Sequence, residues 1–153
     1  MKIGVISDTH GFLDPQVKKL FVGMDHIFHA GDIGHDPLIW ELEAIAPVTA
    51  VRGNNDKNTR FHLIETVVLA QRKFLILHII NPWAMPEPMA KRIAKEQPAV
   101  VVFGHSHRPF AEMVNGVLYL NPGYSGRPRF GTQRSIAILH CDANGIRPEF
   151  IPL

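Results

Sequence analysis

Cysteine is nearly absent: of 153 residues only Cys141 carries a thiol. One sulfur builds no disulfide framework, no CxxC pair and no thiolate zinc cage, so a reducing cytosol is the default expectation and any metal has to sit on nitrogen and oxygen. Long apolar runs are missing too. The opening MKIGVISDTHGF is broken at Ser7 and Asp8, too short for a signal-peptide core or a membrane span, so a soluble, cytoplasmic chain without a membrane partner is expected. A net charge of +2 is scattered and no block of five like charges occurs, which argues against a basic track for long nucleic acid. Neither GxGxxG nor GxxxxGK(S/T) is present, and Ser106 stands in no GxSxG elbow, which removes support for nucleotide loops and for a serine hydrolase. Linkers, low-complexity tracts and repeats are also missing, so residues 1–153 are expected to form one domain.

What the chain does have is a series of Val- and Ile-rich runs of strand length: 2–7, 26–30, 48–52, 73–80, 99–103, 117–120 and 135–141. Between the early runs lie helical patterns at 14–23 and 36–46, each with an aspartate before a proline, the signature of an N-cap followed by proline at the first helical position. A third helical pattern covers 86–97. The order β, α, β, α, β predicts an α/β sheet at the start, and the turn signals NGV (115–117) and DANG (142–145) predict antiparallel hairpins toward the end.

The nine histidines are the compositional oddity, and their placement is informative. The residues that follow the strands are SDTH (7–10), AGD (30–32), RGNND (52–56), LHII (77–80) and GHSH (104–107). In open α/β sheets ligands gather beyond the carboxyl ends of strands, so five strands would feed one crevice. In extended backbone i and i+2 share a face, which predicts that Asp8 with His10, and His105 with His107, aim at one side. Asp8, His10, Asp32, Asn54, His78, His105 and His107 then make a mixed N/O set suited to Mn, Fe, Ni or Zn rather than Mg or Ca. Seven side chains exceed what one small ion takes. Two ions about 3.5–4 Å apart would use them all, as in sites that clamp an in-line phosphoryl displacement.

Each motif alone has a structural reading: DTH and GD as turns, GNND as a hairpin loop. GHSH is the strongest single motif, because two histidines straight after a buried run are costly unless something binds them. Taken in order, the five motifs resemble the calcineurin-like metallophosphoesterase family, and its small single-domain phosphodiesterase branch, over roughly residues 3–129. The resemblance implies a four-layer α/β/β/α sandwich of two mixed sheets. It implies one metal on Asp8, His10, Asp32 and His107 and a second on Asp32, Asn54, His78 and His105, with Asp32 as the bridge. It also implies hydrolysis of a small phosphodiester by a hydroxide between two divalent ions, manganese first, with nickel, iron or zinc as alternatives. A phosphomonoesterase or nuclease on the same site, and a non-catalytic scaffold of the same fold, are the rival readings.

The chain departs from the family at three places. Asn55 stands where relatives often carry the histidine that protonates the leaving oxygen; asparagine cannot donate a proton but can hydrogen-bond a phosphate, so acidic leaving groups are favoured. LHII replaces the His-Gly-His of many relatives. In NPGYSGRPR (121–129), Tyr124 replaces a serine; Arg129 is expected to meet a phosphate and Tyr124 to stack on a base or ring. His26, His29, His35, His62 and His140 belong to no ligand motif and read as structural. The apolar loop at 81–88, with Trp83 and Met85, reads as a subunit contact, a substrate lid or simply packed surface.

Overall fold

The computed structural model describes residues 1–57 and 59–153. Strand β1 (Lys2–Ile6) leads through α1 (Pro15–Leu20) to β2 (His26–His29), then through α2 (Pro37–Glu43) to β3 (Val48–Ala50). β4 (Ile64–Leu69) and β5 (Arg72–Leu77) form a hairpin, α3 (Glu87–Glu96) crosses to β6 (Val100–Val102), and two hairpins follow: β7 (Phe110–Val114) with β8 (Val117–Asn121), and β9 (Ser135–Asp142) with β10 (Gly145–Pro152). One sheet runs β10-β9-β1-β2-β3 and the other β4-β5-β6-β8-β7. Both are mixed. β1, β2 and β3 are parallel while β9 lies antiparallel to β1; β5, β6 and β8 are parallel while β4 and β7 are antiparallel.

The side-chain period of two builds the layers. In β1, Ile3 and Val5 face the second sheet, whereas Ile6 faces the helices, and Gly4 leaves room there for Phe21 of α1, whose ring would sit 2.9 Å from a Cβ at that position. The inter-sheet core joins Ile3, Val5 and Phe28 to Phe74, Val100 and Val102. Outside the first sheet, α1 and α2 bury Val17, Phe21, Leu38 and Leu42. Outside the second, α3 contributes Ile93 over Leu75, Val101 and Phe103. The result is the α/β/β/α sandwich.

Of the two aspartates expected to cap helices, Asp14 does so: its carboxylate accepts the Gln16 N–H at 2.9 Å and pairs with Arg134 at 2.6 Å. Asp36 makes no side-chain cap and instead accepts the Thr59 hydroxyl at 2.9 Å. The apolar runs announced neither β4, β7 nor β10. All three are edge strands, and Pro148 and Pro152 sit in β10, where one side of the ladder needs no donor.

Candidate metal centre

β1, β2 and β3 in one sheet, and β5 and β6 in the other, end at the same edge of the sandwich. There the polar residues after each strand meet. Asp8 Oδ1 lies 3.2 Å from His107 Nε2 and 3.9 Å from His78 Nε2. Asp32 stands between His10 and His78, with Oδ2 3.8 Å from His10 Nε2 and Oδ1 3.5 Å from His78 Nε2. Two donor groups result, Asp8–His10–His107 and Asp8–Asp32–His78. His105 stands edge-on to His78 with ring centroids 5.3 Å apart, and Asn54 is exposed at the tip of the loop after β3. The carboxylate common to both groups is Asp8, while Asp32 faces histidines on both sides.

The expectation that i and i+2 pairs share a face of extended backbone is not met. β1 stops at Ile6 and β6 at Val102, and Asp8, His10, Asp32, His105 and His107 all have positive φ, from 46° at His10 to 69° at His105. Left-handed backbone is strained for residues other than glycine, and such strain gathers where loops are built for a task. Here it curls each loop back across the strand ends. The curl places Asp8 against His107, and so against the other sheet.

The donors are oriented before any ion is considered. His78 Nδ1–H donates to the Ala30 carbonyl at 2.7 Å, which leaves Nε2 as a lone-pair donor facing Asp8 and Asp32. Asp8 Oδ2 accepts from Ser7 Oγ at 2.7 Å and from the His105 N–H at 3.1 Å, so Oδ1 is the free oxygen. Asp8 Oδ1, His10 Nε2 and His78 Nε2 are buried and have no hydrogen-bond partner among the described residues. Three buried polar atoms converging with no hydrogen-bond partner are unfavourable alone and suited to a cation.

Electrostatics sort the two carboxylates. Burial pushes the Asp8 pKa up, outweighing Ser7, His78 and His107. Burial acts the same way on Asp32, but His78 and the two Asn55 donors outweigh it and hold Asp32 below the ordinary carboxylate range. His78 is disfavoured as a cation by burial, yet the nearby Asp32 carboxylate, the hydrogen bond to the Ala30 carbonyl and the charge of Asp8 raise its pKa overall.

Asn55 donates its backbone N–H to Asp32 Oδ1 at 2.9 Å and its side-chain amide to Asp32 Oδ2 at 2.6 Å. Its amide therefore holds the Asp32 carboxylate. Tyr124 is placed differently from the expectation of base stacking. It is 0% exposed, its ring lies 4.8 Å from that of His107, and its hydroxyl donates to the Arg127 carbonyl. Arg129 is exposed and lies over the Tyr124 ring at 5.3 Å. The substitution at 124 thus fills a wall behind His10 and His107.

Sequence reasoning passed over Asp56, the acid that ends GNND. Its carboxylate accepts the N–H groups of Ile33, Gly34 and Gly53, tying the loop after β3 to the loop after β2. Two backbone segments approach so closely there that a Cβ on Gly53 would lie 2.1 Å from Asp32 Oδ1. An acid inside a turn that already carries donors was the available signal. His29, read as structural, links the first two loops: Nδ1 accepts the Gly31 N–H at 3.2 Å, Nε2–H donates to Thr9 Oγ1 at 2.9 Å, and Thr9 donates to the Ile33 carbonyl at 3.0 Å. Asn121 donates to the Gly104 carbonyl at 2.7 Å and steadies the GHSH loop.

Known proteins share this arrangement of sheets. A probable metallophosphoesterase of Methanothermobacter thermautotrophicus is 32% identical over 161 residues, covering 99% of this chain and 92% of its own. A solved archaeal phosphodiesterase superposes with a TM-score of 0.81 at 27% identity over the whole of both chains. Vps29 of Entamoeba histolytica, solved with Zn2+, superposes with a TM-score of 0.75 at 20% identity, covers 99% of both chains, and shares the fold. The description calcineurin-like phosphoesterase superfamily domain matches residues 1–144. With the fold, the ordered loops and these likenesses together, the chain belongs to the calcineurin-like phosphoesterase superfamily.

Proposed function

We propose that the chain, acting as one domain over residues 1–153, is a dinuclear metal-dependent phosphodiesterase. The coarser statement, a metal-dependent phosphoester hydrolase, follows from its family. The observation that carries the finer one is the set of three buried, unpartnered donor atoms on Asp8, His10 and His78, contributed by both sheets, with the Asp32 carboxylate between His10 and His78. One ion would be held by Asp8, His10, Asp32 and His107, the second by Asp32, Asn54, His78 and His105. When bound, a pair of divalent cations supplies Lewis-acid charge for phosphoryl oxygens and for water that must ionise near neutral pH.

The chain's own residues supply orientation. The Ala30 carbonyl fixes the His78 tautomer, and Asn55 keeps Asp32 ionised and correctly turned. Neither Asn55 nor Asn54 can donate a proton to a leaving oxygen, which favours esters with acidic leaving groups. Arg129, exposed above Tyr124, supplies the cation that meets a substrate phosphate. Scattered charge favours a small diester over long nucleic acid. The imidazole-rich donor set favours manganese, nickel, iron or zinc over magnesium.

The test is hydrolysis of bis(p-nitrophenyl) phosphate by chelator-stripped protein as Mn, Ni, Zn and Mg are returned singly. Activity restored by a transition metal and lost in Asp32→Asn supports the proposal. Faster turnover of the matching monoester would move the substrate class. Tight binding of two ions with no turnover of either ester would leave a scaffold, the reading that the shared Vps29 fold brings to mind.

A further inference from the structure

At the candidate metal centre the imidazoles are held in two different ways. His78 donates Nδ1–H to the Ala30 carbonyl at 2.7 Å, the kind of partner that ordinarily fixes a metal-binding histidine. No hydrogen bond joins the His10 or His107 ring to a backbone carbonyl among the described residues; their Nε2 atoms face carboxylates, Asp32 at 3.8 Å and Asp8 at 3.2 Å. What stands beside both rings is Tyr124. Its ring centroid lies 6.0 Å from that of His10 and 4.8 Å from that of His107, tilted by 35° to the latter. The two imidazoles meet edge-on at 5.7 Å, so the three rings close on one another.

Tyr124 is itself firmly placed. Its carbonyl accepts the Ser135 N–H at 2.9 Å, and its hydroxyl donates to the Arg127 carbonyl at 3.1 Å. The next residue, Ser125, donates its hydroxyl to the carbonyl of Ser7 at 2.6 Å, which ties this loop to the one that carries Asp8 and His10. The Arg129 guanidinium lies over the ring at 5.3 Å. A Cβ at Gly126 would sit 2.5 Å from the Tyr124 hydroxyl oxygen, so the chain there is shaped round the ring. The other two imidazoles of the centre, His78 and His105, pack edge-on to each other at 5.3 Å, with no third ring against them among the described residues.

We propose that Tyr124 is a positioning residue for one ion only: its ring sets the orientation of His10 and His107, as the Ala30 carbonyl does for His78. The inference rests on the two-ion reading above and assigns Tyr124 to the ion held by Asp8, His10, Asp32 and His107. Packing can do this because an imidazole pressed against a fixed neighbour loses the rotamers that would swing its nitrogen away. An imidazole that gives its lone pair to a cation is also electron-poor, and an aromatic face is then a favourable neighbour. The serine that Tyr124 replaces has no ring to offer, so the device belongs to this chain.

Tyr124→Ser would leave a large cavity, so the test compares Tyr124→Phe, which keeps the ring, with Tyr124→Leu, which fills the space without one. In chelator, NMR relaxation of ring-labelled histidines should show His10 and His107 more mobile in Tyr124→Leu and unchanged in Tyr124→Phe, with His78 unchanged in both. Calorimetry with Co2+ should then show two ions, one weakened about 10- to 100-fold by Tyr124→Leu and restored in Tyr124→Phe, the other unmoved. Gly126→Ala, which pushes the ring without emptying its place, should weaken the same ion. Equal ring mobility in wild type and Tyr124→Leu, both ions weakened alike, or a Phe variant as poor as the Leu variant would overturn the proposal. A wild-type protein that binds a single ion would overturn the two-ion reading instead, and the ring mobilities in chelator would still decide the role of Tyr124.

Discussion

At the scale of single residues, the candidate centre depends on close approaches that leave no slack. Gly53→Ala would drive a Cβ into Asp32, so ion affinity measured by calorimetry and diester turnover should both fall at least 100-fold, while Gly116→Ala, at a turn with open space around it, should leave both unchanged. His29 yields a pH prediction. Burial depresses its pKa from 6.5 to about 3, so the folded state keeps it neutral while the unfolded state takes a proton below 6.5. Its contribution is complete above pH 6.5 and is lost as pH falls toward 3. Urea denaturation in chelator should show stability declining by up to about 1.4 kcal/mol per pH unit in that window, and His29→Gln should flatten the slope. The donor types were legible in the sequence because histidine and aspartate after buried runs have few other uses. Their left-handed backbone was not, since φ depends on what lies across the loop. The same limit hid the work of Asn55 and Asp56, whose partners are 23 residues or fewer away but belong to another strand's loop.

At the scale of elements, the two Asp-Pro helix starts look alike in sequence and differ in energy. Asp14→Ala removes a cap and strands Arg134, which is largely buried, so chemical denaturation should report a loss of at least about 2 kcal/mol. Asp36→Ala removes only a bond to Thr59 and should cost less than about 1 kcal/mol. The central strands were readable because both their faces are buried, as in β6, where Val100, Val101 and Val102 are all 0% exposed. Edge strands β4, β7 and β10 alternate with exposed residues and so dilute the apolar signal. Two were still implied, since NG and DANG turns require a partner for β8 and β9.

At the scale of the molecule, Asp8, His10 and Asp32 belong to one sheet and His78, His105 and His107 to the other, so occupancy of the centre fastens the sheets at one edge. Each ion present at 100 times its dissociation constant should add about 2.7 kcal/mol to unfolding stability, seen as a raised Tm that Asp32→Asn abolishes. The pairing of β1 has a further consequence, for synthesis. β1 is bordered by β2 on one side and by β9 on the other. Between the end of β2 at His29 and the start of β9 at Ser135 the ribosome must add about 105 residues, which takes roughly 5–20 s at about 5–20 residues per second. For that interval the nascent chain carries an unpaired, apolar strand edge. A circular permutant that begins at β9 closes that edge within the first 50 or so residues synthesised, and it should refold and express with less aggregation than the natural order.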